Sequence, residues 1–286
     1  MSLFDRIAPL LAWTPEAYSP LLVAGRRMGW LRSDTARRLL DFPEVFETRG
    51  EAVSLRDALA TPEARGAALE AVLKELIAAG EIRRLRGELY PLVRRWGDEP
   101  LALVDRRAAP LLGIRCFGLH VNGYVKKGDD LHIWVGRRAK DKAIAPGQYD
   151  HLVAGGQPAG LSLADNLVKE AAEEANLPEA IARRARPIGA VTYRCDWPDG
   201  CKDDVLFCYD LEVPEEFTPE NTDGEVEHFE LWPVEEVIAE LRSRDSFKFN
   251  VGPVVIDFLI RRGYLTPDNE PDYLRLAASL RTAPPE

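Results

Sequence analysis

The chain of 286 residues is short of the features that announce most function classes. It has four cysteines, Cys116, Cys195, Cys201 and Cys208, with no C-x-x-C pair among them. That excludes a thiol redox motif and a cysteine-built zinc finger, and leaves free thiols of a reducing compartment. Four scattered histidines make no zinc pattern either. No apolar run approaches the roughly 20 residues that cross a bilayer, and the start MSLFDRIAPL lacks the basic-then-apolar order of a secretory signal. The expectation is a soluble, cytoplasmic protein with no membrane partner. Positive charge is in deficit, 37 Lys and Arg against 47 Asp and Glu, for a net −10. A nucleic-acid partner held by phosphate contacts is therefore disfavoured. There is no Walker phosphate loop and no G-x-S-x-G elbow.

What the chain does have is concentrated in residues 155–177, GGQPAGLSLADNLVKEAAEEANL. Ser162 is a good N-cap, and Asp165 stands where it closes a capping box. A helix starting there puts Glu170, Glu173 and Glu174 at i, i+3 and i+4, on one face. Leu167, Val168, Ala171 and Ala175 fall on the neighbouring arc and can be buried. Three carboxylates at this spacing repel one another. A divalent cation removes that penalty, and hard oxygen donors suit Mg²⁺ or Mn²⁺ better than zinc. A solvent-facing acidic helix would carry the same glutamates, but the double glycine and the strand-like HLVA ahead of it favour a site.

With these residues the chain resembles the Nudix hydrolases, whose box reads G-x5-E-x7-R-E-U-x-E-E-x-G-U with U aliphatic. Gly155, Glu170, Ala171, Glu173, Glu174 and Leu177 match; Leu161, Lys169 and Asn176 depart from the first glutamate, the arginine and the last glycine. Asparagine tolerates the left-handed conformation that ends a helix. Lysine keeps the charge of arginine without its two-pronged geometry. Asp165 is a candidate to stand in for the glutamate that Leu161 replaces. The segments HVNGYV, PGQYDHLVAGGQPAG and FKFNVGPVVIDFLIRRGYLTPDNEPDY are similar to one branch, the plant and fungal Nudix proteins related to thiamine pyrophosphokinase, in which another domain precedes the Nudix domain.

The resemblance implies metal-dependent hydrolysis of a small-molecule diphosphate, thiamine diphosphate or its damaged oxo and oxy forms, to the monophosphate and phosphate. Alternatives are a Nudix pyrophosphatase for ADP-ribose or a nucleotide sugar, and a Nudix-scaffold binding protein that has lost catalysis. Leu161 and Lys169 keep the last one open; the intact E-x-x-E-E argues against it. Glu173 and Glu174 are the expected primary metal ligands, with the Gly155 carbonyl by family analogy. Glu170 is a further ligand or the base for the attacking water. The segment TDGEVEHFE offers another carboxylate, Glu225 or Glu227 ahead of Asp223 and Glu230. Arg137, Arg138 and Lys142 are candidate phosphate contacts, clustered with Lys140 after a strand in an acidic protein. Tyr193, Trp197, Tyr209 and Phe217 are aromatic candidates for a cationic ring, though strand aromatics are more often core.

Two regions differ in texture. Residues 1–113 read as an accessory mixed α/β domain: a helix over Phe4–Ala12, a hairpin turning near Gly25 and Arg26, a helix from Pro62 to Ala79, and a second hairpin over residues 81–93. Its role is open between walling off the substrate pocket, mediating a homodimer, and something unrelated to either. Residues 114–286 read as strands interleaved with helices and no regular βαβ repeat. That pattern predicts a mixed sheet between helical layers, in agreement with the α/β/α sandwich that the resemblance implies.

Overall fold

The computed structural model describes residues 2–142 and 144–282; the proline-bearing tail lies outside the described residues. The chain opens with two 3-10 turns, Leu3–Arg6 and Ala8–Leu11, in place of the single helix expected there. Pro9 has no N–H to carry one helix through. Strands β1 (Tyr18–Val23) and β2 (Arg26–Arg32) form the expected hairpin. They turn on Ala24 and Gly25, at φ of 50° and 73°, the left-handed pair that matches the twist of the strands. After α1 (Ser33–Leu39) come β3 (Phe46–Arg49) and β4 (Ala52–Leu55), which complete a sheet of order β2-β1-β4-β3.

Helix α2 (Pro62–Ala78) begins where the Thr61 hydroxyl accepts from the Ala64 N–H, and its buried Leu69, Val72, Leu73 and Leu76 join the core around that sheet. The second hairpin does not form within residues 81–93. The Asp105 carboxylate accepts from the backbone N–H groups of Arg86 and Gly87, folding that segment into a loop. Only β5 (Leu89–Pro91) remains extended, paired with the distant β6 (Leu103–Asp105), and α3 (Ala108–Leu112) follows.

The second half contains β7 (Arg115–Lys127), β8 (Asp130–Arg138), β9 (Tyr149–Asp150), β10 (Val153–Gly156), α4 (Leu163–Ala175) and α5 (Glu179–Ala182). Then come β11 (Arg186–Trp197), β12 (Gly200–Glu212), β13 (Val226–Pro233), α6 (Val234–Ser243), α7 (Val251–Arg261) and α8 (Tyr273–Ser279). The main path of the sheet runs β11-β12-β7-β8-β13, mixed because β12 lies parallel to β7 while the other pairs are antiparallel. One edge of β7 is shared. Its first half pairs with β10 at Gly118–Val121 and its end pairs with β8 at Tyr124–Lys127. The two partners diverge from there, and the glycine end of β10 is left on its own side of the split.

Each face of the sheet is covered. Leu167, Ala171 and Ala175 of α4 pack with Leu119, Val121 and Val153 on one side. On the other, Val237 and Leu241 of α6 and Val254, Val255 and Phe258 of α7 pack with Ile133, Val191, Tyr193 and Leu206. This is the expected α/β/α sandwich. Leu3, Phe4, Ile7 and Leu10 belong to that second core as well. The first dozen residues therefore depart from a simple cut at 113/114.

Candidate active site

Helix α4 is set by its ends. The Ser162 hydroxyl accepts from the Asp165 N–H at 3.1 Å and donates to the Asp165 carboxylate at 2.7 Å. Asn176 closes the helix at φ 50° and ψ 34°, with its own N–H and that of Leu177 returning to the carbonyls of Ala172 and Ala171. Inside the first turns, buried Asn166 donates to the Gly156 carbonyl at 2.8 Å, pinning the helix to the end of β10. Asp165 is exposed and engaged with Ser162 and Arg183, so it does not replace the box glutamate missing at Leu161.

The three glutamates differ in setting. Glu174 is buried, and its Oε2 accepts from the Ala154 N–H at 2.8 Å. Glu170 packs onto Gly155 so closely that a Cβ there would lie 2.4 Å from its carboxyl carbon. Glu173 is half exposed. Burial pushes the Glu170 carboxyl pKa up, against the hydrogen bond from Lys169; the charges of Glu173 and Glu88 add to the rise. Burial likewise pushes Glu174 well up, and the charges of Asp150 and Glu170 add to it against the Ala154 hydrogen bond. Negative charge here is under-compensated. Lys169 answers part of it, with Nζ 3.1 Å from Glu170 and 2.7 Å from Glu173. Burial opposes the lysine charge, but its hydrogen bonds to Glu173 and Glu170 win and raise its pKa. As hard oxygen donors these carboxylates suit a divalent cation, although among the described residues only His120, Asp150 and His151 bring three ligand atoms within 4.8 Å of one another.

The glutamate face borders a cavity of about 570 Å³. Lys142 and Glu225 both line it and pair with each other at 2.7 Å; Asp223 lines it too. Other expected residues are placed differently. Arg137 stacks 4.6 Å over the Tyr149 ring and is not among the lining residues. Arg138 reaches the wall, but its Nη1 donates to Asp150 at 2.8 Å and its Nε to the Ile144 carbonyl. Glu227 is exposed and absent from the lining, because a bulge between Val226 and His228 shifts its register against β8. Glu230 binds His228 and Trp232 instead. Of the four aromatic candidates only Trp197 lines the cavity, where Phe249 joins it; Tyr193 is buried core, and Tyr209 and Phe217 pack in the α4 layer.

Sequence reasoning missed the walls built from afar: Glu88, Tyr90 and Arg106 of the first half, and Lys202, Asp204, Lys248 and Asn250 of the second. It also missed the pairing of two histidines. Buried His120 and His151 face each other with Nδ1 atoms 2.9 Å apart beside buried Asp150, and these three bring ligand atoms within 4.8 Å. This group is a poor cation site, since Asp150 already binds Arg138 at 2.8 Å and Lys248 at 2.9 Å. Burial works against the Asp150 charge, yet Lys248 and Arg138 prevail and hold its pKa down.

Burial pulls the His120 pKa well down and, against the attraction of Asp150, pulls His151 down to about 4. A depressed folded pKa gives stability that is full above the unfolded value near 6.5 and is lost as pH falls towards 4. For His151 that amounts to about 3 kcal/mol. Urea unfolding at pH 7.5 and pH 4 should show His151→Gln losing less stability on acidification than the wild type; equal losses would contradict the assignment.

A glycine-ended strand thus faces a carboxylate-bearing helix inside an α/β/α sandwich, beside a cavity lined by acidic and basic side chains. Comparison with known proteins gives the family. Residues 118–251 match the NUDIX domain model, and residues 9–116 match a domain of unknown function, DUF4743. Nudix hydrolases 20 and 24 of Arabidopsis thaliana, both named chloroplastic, are each 40% identical, over 274 and 267 residues. Each alignment covers 92% of this chain and 73% of the relative. An uncharacterized Saccharomyces cerevisiae protein is 36% identical over 217 residues, 70% of this chain and 61% of its own. Among solved structures, a MutT protein of Methanosarcina mazei matches 52% of this chain and 95% of its own, at 14% identity and a TM-score of 0.41. The chain belongs to the Nudix hydrolase family, as a diphosphate hydrolase whose Nudix domain follows a DUF4743 domain. Divalent metal ions are typical of that family. The cytoplasmic expectation is overturned by the two chloroplastic relatives.

Proposed function

We propose that the enzyme hydrolyses thiamine diphosphate or its oxo and oxy forms to the monophosphate and phosphate, as a member of the branch related to thiamine pyrophosphokinase. The observation that carries this reading is that the cavity lining holds two chemically different sets of residues. Carboxylates and the Gly155–Gly156 backbone form one set. The other comprises Trp197 and Phe249, with buried Asp204 and a buried Asn250 Oδ1 that has no hydrogen-bond partner among the described residues. This second set suits a flat, cationic ring that carries an amino group. Lys202 Nζ lies 4.9 Å from the Trp197 centroid and 5.3 Å from that of Phe249, so these faces hold an ammonium whose place an incoming cationic ring would take. The unpaired amide oxygen offers an amino group its acceptor.

Glu173, Glu174 and the Gly155 carbonyl would hold Mg²⁺ or Mn²⁺, with Glu225, which lines the same cavity, as a further candidate. A divalent ion bound there supplies charge neutralisation of the diphosphate oxygens. Glu170 accepts the proton of the attacking water. Water adds to the terminal phosphorus, the bond from that phosphorus to the bridging oxygen breaks, and the monophosphate leaves. Residues 114–286 form the catalytic unit, with residues 1–113 as the accessory unit apart from the two N-terminal turns.

Hydrolysis of thiamine diphosphate, its oxo and oxy forms, ADP-ribose and a nucleotide sugar, each with Mg²⁺ and followed by chromatography of substrate and monophosphate products, tests the reading, because the last two split into two monophosphates and release no free phosphate. Preference for the thiamine compounds is the expected result. A preference for ADP-ribose or a nucleotide sugar, or none at all, would overturn it.

A further inference from the structure

The N-terminal half reaches into the hydrolase cavity, and the reach is fixed at the box glycines. The Ala159 N–H donates to the Leu89 carbonyl of β5 at 2.9 Å. Tyr90 of the same strand is buried against Gly156, where an added Cβ would lie 1.7 Å from its hydroxyl. The glycine beside Gly155 is thus the seat of a side chain from the other half. Glu88 precedes this strand and Arg106 follows β6, and the Arg106 N–H donates to the Glu88 carbonyl at 2.8 Å. Both side chains line the cavity together with Glu170 and Glu173.

Arg86, Arg106 and Arg107 bring three cations of the first half to the cavity wall, and Arg106 is the one in contact with both Glu88 and Tyr90. Lys169 is held by two glutamates, Lys142 by Glu225, Lys202 by Asp204, and Arg138 and Lys248 by buried Asp150. The Arg106 guanidinium meets Glu88 at 2.9 Å through Nη1, lies 5.7 Å from the Tyr90 centroid, and keeps half of its surface open. One prong is steadied and the rest of a five-donor fork is presented to the cavity. A fork of that kind matches two phosphate oxygens at once.

We propose that Arg106, delivered by the accessory half, is a phosphate ligand of the hydrolase site, contacting the diphosphate across the cavity from the acidic helix. The accessory half then completes the active site as well as covering it. This rests on the diphosphate chemistry of the Nudix site and is independent of the organic group assigned above.

Inorganic pyrophosphate, which has no organic group, is the probe. Its binding to the full chain with Mg²⁺ is measured by calorimetry for the wild type, Arg106→Lys and Arg106→Ala, beside Tm and the KM and kcat for whichever diphosphate turns over. Arg106→Ala should weaken pyrophosphate binding and raise KM by about 10- to 100-fold, the range for a hydrogen bond to a charged group, with kcat changed less. Arg106→Lys should recover part of the loss. Should Arg106→Ala fail to fold, Arg106→Met, which keeps the aliphatic stem near Tyr90, is read instead. Pyrophosphate affinity within twofold of the wild type in the neutral variant that folds would overturn the proposal. Loss of pyrophosphate binding in an enzyme that ignores thiamine diphosphate would uphold Arg106 while removing the thiamine reading.

Discussion

Replacing Glu173 by glutamine should lower turnover with Mg²⁺ by about 100-fold or more while Tm barely moves. The two halves of that expectation come from different features. Glu173 leans on nothing the fold needs: its side chain is 49% exposed, and its ion pair with Lys169 is an i,i+4 surface contact, worth about 0.3–0.5 kcal/mol at most. The bonds from the 222 loop reach its backbone carbonyl, which glutamine keeps. What glutamine removes is one negative charge from a cluster whose other two members are already under-compensated. Lys169 would then be paired with Glu170 alone, and a divalent cation would lose a charged oxygen donor. Steady-state phosphate release and a thermal melt on the same preparation check both halves. Undiminished turnover would remove the acidic helix from catalysis; a collapsed melt would make Glu173 a structural residue.

The acidic helix and its ends were legible because they are local. Ser162, Asp165 and Asn176 carry their meaning within a few residues, as do three glutamates on one face. The interleaving of strands and helices in the second half was legible from apolar alternation. Failures lie where distant residues compete. The alternation in residues 81–93 does suit a hairpin, but Asp105 captures the amides of Arg86 and Gly87 from 19 and 18 residues away. Arg138 reads as a free cation next to a strand end, and only the folded chain brings it Asp150, which in turn holds Lys248 from 98 residues away. Arg137 alternates to the other side of β8, where the Tyr149 ring takes it. Glu88, Tyr90 and Arg106 were invisible for the same reason. Nothing near them in the sequence points to glycines some 50 to 70 residues further on, so the part of the cavity wall that the first half supplies stayed hidden.

Glu174→Gln should separate stability from function most sharply. Glu174 is buried, and burial first, then the charges of Asp150 and Glu170, push its pKa well up. A carboxyl whose folded pKa exceeds its unfolded one contributes stability that is full below the unfolded value near 4.3 and is lost as pH rises through the folded pKa. At pH 8 without metal the wild type carries that loss. Glutamine is neutral at every pH, and its amide oxygen can accept the Ala154 N–H in place of Oε2. In chelator at pH 8 the variant should therefore melt above the wild type, by about 2–4 °C for each kcal/mol relieved, and the gap should close as pH falls towards 4. With Mg²⁺ the order should reverse: the wild type gains stability by binding the ion in its folded state, while the variant has given up a charged ligand and gains little. Turnover should fall at least as far as in Glu173→Gln. A variant that melts below the wild type in chelator at pH 8 would mean that Glu174 is compensated by the fold itself, with no cation required to make its burial tolerable.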